Sequence, residues 1–504
     1  MLDYYYQQEM RDIAKNAIRG QFIAPTGTGK SRVQANIISD DIIANPGFGV
    51  YLVLTPRILL TNQLMDSVAK PLVKQGIKFR RVTVHSGTAA EVGLTPEEEV
   101  LMSKKEKIQY KKTLGFSTAD SRATTSTLVD SFEKAQVGDH PIVMCGTYHS
   151  VNKVTSATKK ANIRLNIVMC DEAQYATQPA FHKSVIAVTN ASNKNFFFTA
   201  TRKVTASDEG RGMNNVGVFG EVLAEYKPIA MINQGYIVRP RLHFVDVTGD
   251  SSCVGEAVIK SFDEHRLHVK GTAKMLVSCA GSEQLKSITS HSAFVGYVSA
   301  MKQQGNPVTV FEITSAWGAN INGVETDRDS FLAQLRSHRG LAIVLHLHIL
   351  TEGIDVPDMT GVLMLSDPKE SKFFQTVGRT TRLDVQDRAQ LEAGAISTAD
   401  LTAWNKPYCY VITPVFSDEG ADQRATIKTL ILKMRDYAND MQELILESQT
   451  HGTPDEESSD TVNDIDTNKK SQFGELFEII QYFENLQKIE SEQKVVASAL
   501  DDVF

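Results

Sequence analysis

Residues Ala24-Pro-Thr-Gly-Thr-Gly-Lys-Ser31 have the make-up of a phosphate cradle. Gly27 and Gly29 let backbone N–H groups turn inward, and a helix starting just after them adds its positive dipole end. Thr26 and Thr28 complete the loop; Lys30 would reach the β- and γ-phosphates of a nucleotide and Ser31 would ligate Mg2+. Ala24 stands where the usual pattern has glycine. A second chemical group is Asp171-Glu172-Ala173-Gln174. Asp171 can hold the metal, partly through water, and Glu172 can polarise the attacking water for in-line hydrolysis. Gln174 is a polar group able to link this chemistry to the rest of the chain. The third is Gln375-Thr-Val-Gly-Arg379-Thr-Thr-Arg382. On a helix it places Arg379 and Arg382 three apart on one face, with both guanidinium forks available to one cleft. Taken singly, these could be a bland glycine loop, a solvated turn and two surface arginines. Their order along one chain favours catalysis.

The elements around these groups are consistent with that chemistry. Short β-branched runs at Gln21–Ala24, Val50–Thr55, Ile142–Cys145 and Ile167–Cys170 alternate with segments of helical spacing, the rhythm of an α/β protein with a parallel sheet. The cradle follows the first run, and Asp171 and Glu172 follow the strand Leu165–Cys170, at the strand end where such sheets bind ligands. A second series begins at Lys274 with KMLVSC, runs through PVTVFEIT, LAIVLHLHIL and GVLMLS, and closes at TRL. Two sheets of similar type are implied, with a boundary inside Gly220–Phe262. The expected organisation is a first nucleotide-binding lobe over 1–235 interrupted by an insertion at about 88–140, a second over 236–415, and a mainly helical extension over 416–504 with an acidic linker at 451–471.

Taken together, the motifs resemble those of a superfamily-2 helicase or translocase, in the branch of type III restriction-subunit-like and phage-type DNA helicases. The series runs in order over residues 5–383. The resemblance implies two tandem RecA-like domains and a nucleic-acid-dependent ATPase using ATP and Mg2+. It makes Gln7, with Gln8 as neighbour, the reader of the adenine edge, while Tyr4, Tyr5 and Tyr6 either pack a helix or stack on the base. It assigns strand contacts to Arg57, Gln63, Thr147 and Thr351, and adds Gly353 and Asp355 to the nucleotide site. Thr199 and Thr201 of Thr-Ala-Thr, with Gln174 and Gln375, would couple hydrolysis to the bound strand. Arg382 would be the arginine finger on the γ-phosphate, with Arg379 beside it. ATP would bridge the two lobes, so that binding closes them and hydrolysis releases them. The box reads D-E-A-Q where D-E-A-H is more usual, which bears on position 174 and leaves Asp171 and Glu172 intact.

Composition bounds the partner and the setting. The formal charge of −7 at first opposes a polynucleotide. Residues His451–Phe504, however, carry thirteen acidic side chains against four lysines, which leaves residues 1–450 at +2. The expected partner is DNA, single-stranded, duplex or branched, with RNA the less favoured polymer and a non-unwinding, DNA-clamping ATPase the other alternative. Lys104, Lys105, Lys107, Lys111 and Lys112 in the insertion either touch phosphates or line a solvated helix. Phe473–Leu500 has the spacing of an amphipathic helix, which serves a protein partner or packs back on the motor. The five scattered cysteines read as reduced, mostly buried thiols. No segment has a signal peptide's or membrane span's character, so a cytoplasmic setting is expected, the host cytoplasm if the source is viral.

Overall fold

The computed structural model describes residues 4–56, 58–85, 123–207, 209–314, 318–347, 358–365, 370–418, 427, 429–438 and 444. They form two compact units, one ending at Lys227 and the other beginning at Pro228.

The first unit is built on a seven-stranded parallel sheet. Its strands are β1 (Arg19–Ile23), β2 (Val50–Thr55), β3 (Arg80–Val84), β4 (Ile142–Thr147), β5 (Leu165–Cys170), β6 (Ser192–Thr199) and β7 (Val222–Glu225). They lie in the order β3-β4-β2-β5-β6-β1-β7. The inner strands are apolar on both faces because helices cover both: all six residues of β2 and of β4 are buried. Packed on the sheet are α1 (Tyr5–Asn16), α2 (Lys30–Ala44), α3 (Ile58–Lys74), α4 (Thr125–Val137), α5 (Val151–Ala161) and α6 (Pro179–Asn190). Leu54, Met144, Val168, Phe197 and Phe132 are among the side chains of one continuous core, each fully buried large apolar group contributing roughly 1.5–3 kcal/mol. The order β5-β6-β1 brings the ends of three strands side by side, which is what assembles the site.

The second unit carries an eight-stranded sheet in the order β12-β11-β10-β13-β9-β14-β15-β8. Its strands are β8 (Arg239–Val247), β9 (Lys274–Ser278), β10 (Val308–Thr314), β11 (Gly318–Ile321), β12 (Val324–Thr326), β13 (Leu341–His346), β14 (Gly361–Met364) and β15 (Tyr408–Phe416). All pairings are parallel except β10 with β11 and β11 with β12. The helices are α7 (Val254–His268), α8 (Ser282–Ser290), α9 (Ser292–Gln303), α10 (Arg328–Ser337), α11 (Glu370–Thr380) and α12 (Val385–Glu392). Two parallel-strand-rich sheets flanked by helices are the tandem RecA-like architecture expected of the sequence.

Three details differ from expectation. The strand series does not close at Thr381-Arg382-Leu383, which follows α11; the last described strand is β15. Beside β15, the edge of the sheet is β8, whose Arg-Pro-Arg-Leu-His-Phe-Val-Asp-Val sequence mixes charge and proline. An edge strand tolerates Pro240 because its ladder is needed on one side only. The hairpin β11–β12 was not singled out either, although Asn322-Gly323 is its turn, with φ of 51° and 77°, the conformation that favours Asn-Gly in a two-residue hairpin. Asn322 also accepts the Val310 N–H through Oδ1 at 2.8 Å.

Of the extension, residues 429–438 pack back on the second unit: Leu430, Ile431 and Met434 are buried, and Tyr437 stacks on Phe374 of α11 with ring centroids 6.1 Å apart. All five cysteines are free, and four are buried. No helix among the described residues is long and apolar enough to cross a membrane. The insertion lysines, the acidic linker and the Phe473–Leu500 segment lie outside the described residues.

Candidate functional site

The cradle leaves β1 at Ala24, whose N–H donates to the Thr199 carbonyl at 3.0 Å. The loop then turns on Gly29, which caps α2 with φ +80°. A Cβ there would lie 2.8 Å from the Gln7 amide nitrogen, so this position needs glycine for both conformation and space. Thr28 donates its hydroxyl to the Pro25 carbonyl at 2.7 Å, closing the loop on itself. Lys30, buried at the start of α2, donates through Nζ to the carbonyls of Ala24 at 3.0 Å and Pro25 at 3.3 Å.

Helix α1 is fastened to this loop. Tyr6 donates its hydroxyl to the Thr28 carbonyl, and Gln7 donates Nε2 to the same carbonyl at 3.0 Å while its Oε1 accepts the Tyr4 N–H. Gln7 therefore lies at the cradle, and Gln8 lies away from it, donating to Asp12. The tyrosines divide: Tyr6 is packed inside and Tyr5 is exposed. Tyr226, after β7, holds α1 from the other side by donating to Glu9 at 2.7 Å and packing edge-on against Tyr6. Tyr6, for which packing a helix and stacking on the base were both open, is packed against the loop; Tyr226 carried no sequence signal that separated it from an ordinary core tyrosine.

The acidic pair sits at the end of β5. Asp171 is buried, takes the Leu54 carbonyl through its N–H, and accepts Nε2 of Gln34 on its carboxylate at 2.9 Å. Burial, reinforced by the Glu172 charge, raises its pKa above the usual carboxylate range, while Lys30 and Gln34 pull the other way. Beneath it, Tyr148, in the short helical turn after β4, donates its hydroxyl to the Asp171 carbonyl at 2.8 Å. Gln34 is a site residue that spacing alone could not find, since it meets Asp171 across 137 positions.

Glu172 adopts a left-handed conformation, φ 49° and ψ 53°, which costs a non-glycine residue roughly 1–2 kcal/mol. That turn sets its carboxylate against Gln174, whose Nε2 donates to Glu172 at 2.9 Å. Gln174 in turn accepts the Thr199 hydroxyl on Oε1 at 2.7 Å, and the Thr201 N–H donates to the same hydroxyl oxygen at 3.0 Å. A line of hydrogen bonds thus joins Glu172, Gln174, Thr199 and Thr201. A glutamine suits the middle of it because its amide offers one donor and one acceptor at fixed separation.

The loop has polar capacity to spare for a ligand. The Thr26 hydroxyl and Gln34 Oε1 are buried without a hydrogen-bond partner among the described residues, and buried polar groups are normally paired. With Ser31 at the head of α2 and Asp171 facing Gln34 of the same helix, the residues fit a nucleoside triphosphate with Mg2+.

In the second unit, Gln375 and Arg379 are buried on α11. Arg382 is not on that helix, which ends at Thr380, so the expected placement of Arg379 and Arg382 on one helical face does not hold. The ending has a local cause. Thr380 and Thr381 return their hydroxyls to the carbonyls of Val377 and Gly378, a competition that weakens helices. The Thr381 carbonyl is instead taken by the Val238 N–H at 2.7 Å. In the first unit, Thr147 is buried and donates to Ser150 at 3.3 Å. Arg57, Thr351, Gly353, Asp355 and the side chain of Gln63 lie outside the described residues.

Residues 2–204 match the family described as type III restriction enzyme, res subunit. No curated protein matches the sequence. Among solved structures, the ATP-dependent type ISP restriction-modification enzyme LlaBIII bound to DNA superposes with a TM-score of 0.59 at 16% identity, over 87% of this chain and 30% of that one. The helicase MrfA bound to DNA gives 0.53 at 13% identity, over 86% and 48%. The DEAD-box helicase Mss116 bound to ssRNA and UDP-BeF gives 0.51 at 12% identity, over 88% and 74%. The chain spans about 30% of the length of the type ISP enzymes it resembles. These likenesses concern the fold: the chain has a tandem RecA-like fold, and residues 2–204 of its first unit are similar to the type III restriction enzyme res subunit.

Proposed function

We propose that the chain is an ATP-dependent DNA translocase or helicase, coupling hydrolysis to movement on, or remodelling of, DNA. The observation that carries the coupling is the unbroken line from Glu172 through Gln174 to Thr199 and Thr201, which connects the residue suited to activate water with the Thr-Ala-Thr segment. The choice of DNA rests on the match to a restriction subunit.

In this reading the Gly27–Gly29 amides and Lys30 hold the phosphates, and Thr26 lends its buried hydroxyl. Ser31 and Asp171 would hold Mg2+, which supplies charge neutralisation on the phosphate oxygens. Glu172 orients and deprotonates the attacking water, with Gln174 fixing the direction of its carboxylate. Arg379 and Arg382 supply positive charge for the transferred phosphoryl group. Gln7 reports the base to the cradle through Thr28. Gly353 and Asp355 belong to the nucleotide site; Gln375 belongs to the coupling path; Arg57, Gln63, Thr147 and Thr351 contact the strand, gripping backbone without reading sequence.

The test is steady-state ATP hydrolysis by the purified chain without polymer and with single-stranded DNA, duplex DNA, forked DNA or RNA, together with strand separation. The expected result is a rate raised most by a DNA. A rate raised most by RNA favours an RNA helicase, supported by the shared sugar-phosphate contacts. Stimulation by DNA without separation or translocation selects a clamping ATPase. A rate indifferent to every polymer overturns the proposal.

A further inference from the structure

Just beyond α11, the backbone that carries Arg382 is held from two sides. The Thr381 carbonyl accepts the Val238 N–H at 2.7 Å, and the next carbonyl, that of Arg382, accepts Lys406 Nζ at 2.7 Å. Lys406 precedes β15 and is itself buried, 5% exposed. A buried ammonium is costly unless it is held, and here its own backbone is fixed by another buried charge. Asp387 of α12 is fully buried and accepts the Lys406 N–H on Oδ2 at 2.8 Å. Its Oδ1 accepts both the N–H and the Nδ2 of Asn405, each at 2.8 Å. Asp384 closes the turn between Arg382 and α12 by accepting the Gln386 and Asp387 N–H groups. A ring of hydrogen bonds therefore runs from Arg382 through Lys406 and Asp387 back along the start of α12. A surface arginine after a helix would need none of this.

We propose that Lys406 is a positioning residue for Arg382: with its backbone N–H anchored on Asp387, its ammonium fixes the main chain from which the Arg382 guanidinium projects. This rests on the role given to Arg382 above. An arginine that stabilises developing charge gains from being held in place beforehand, because no reorganisation is then needed during the reaction. Burial lowers the Lys406 pKa to about 8, which agrees with an ammonium enclosed by the fold; Cys409 of β15, Asp358 before β14, and Asp384 and Arg382 of the turn are its charged or titratable neighbours.

The test is a double-mutant cycle on the full chain, reading single-turnover and steady-state ATP hydrolysis with the polymer that stimulates best. Lys406→Met keeps side-chain length and removes the donor. It is expected to lower kcat at least about tenfold with KM for ATP within about threefold, whereas Lys406→Arg, which retains a donor, recovers a large part of the rate. On an Arg382→Ala background, Lys406→Met is expected to add no further loss, since a residue acting through Arg382 has nothing left to position. If circular dichroism shows Lys406→Met unfolded, Lys406→Gln is read by the same cycle. The proposal is overturned if the Lys406 variant keeps the parental kcat, or if its loss multiplies with that of Arg382→Ala. Full activity of Arg382→Ala alone would instead remove the role assigned to Arg382, a separate failure.

Discussion

At the scale of single residues, Gln174 has two partners with complementary demands. Glu172 takes its N–H and Thr199 gives it a hydroxyl hydrogen, so each end of the amide is committed. A hydrogen bond to a charged group contributes about 1.5–3 kcal/mol, so Gln174→Ala is expected to reduce polymer-stimulated kcat by roughly tenfold to a hundredfold and leave KM for ATP nearly unchanged. Gln174→Glu should be worse, because it places a second carboxylate against Glu172. Stopped-flow phosphate release reads both; an unchanged kcat in either variant would detach the Thr-Ala-Thr segment from the chemistry. Gly29→Ala tests the cradle itself. With φ at +80° and Gln7 Nε2 2.8 Å from the new Cβ, the loop must move, and fluorescent-nucleotide titration is expected to show at least about tenfold weaker binding. Lys30, Asp171 and Glu172 were legible because each belongs to a contiguous motif. Gln34 and Lys406 were not, since their partners lie 137 and 24 positions away.

At the scale of elements, the strands easiest to read are those buried on both faces. β2, β4 and β5 are rich in Val, Ile, Leu and Met and have no exposed position, and their limits agree with the apolar runs in the sequence to within two residues. β8 is an edge strand with Arg239, Pro240, Arg241 and Asp246, and its signal is diluted by the solvent it meets. The end of α11 followed a third logic. The Q-x-x-G-R-x-x-R spacing suggested a continuous helix, yet two threonines and a tertiary hydrogen bond from Val238 stop it before Arg382. The hairpin offers a measurement at this scale. Gly323 has φ +77° and open space around a would-be Cβ, so Gly323→Ala carries backbone strain alone and is expected to cost about 1 kcal/mol. Ile412→Ala, in the core of the same sheet, should cost about 2–5 kcal/mol. Urea melts that rank the two in reverse would contradict the assigned roles of turn and core.

At the scale of the whole molecule, acid should destabilise the chain through buried His265. His265 of α7 is fully buried, bonded to Thr360 at 2.8 Å, and burial, aided by His243 and His268, lowers its pKa from 6.5 to about 3. The folded state stays neutral where the unfolded chain takes up a proton. This contribution is therefore fully present above about pH 6.5 and is lost progressively as pH falls towards 3, amounting to about 2 kcal/mol by pH 5. His265→Gln is expected to narrow the difference in melting temperature between pH 7.5 and pH 5.0; an unchanged difference would assign the acid sensitivity elsewhere. The two-sheet plan was legible from the alternation of apolar runs and the order of motifs from their residue types and spacing, whereas the ring around Lys406 depends on how β8, α12 and β15 meet.

The proposed polymer-dependent ATPase requires both Lys30 and Arg382. Hydrolysis should be measured with saturating single-stranded DNA for the parent, Lys30→Ala and Arg382→Ala, each confirmed folded. DNA-stimulated turnover is expected in the parent and a loss of at least about a hundredfold in both variants, within the range associated with loss of phosphate-binding and arginine-finger groups. Arg382→Ala hydrolysing ATP at the parental rate, with DNA stimulation intact, would contradict it.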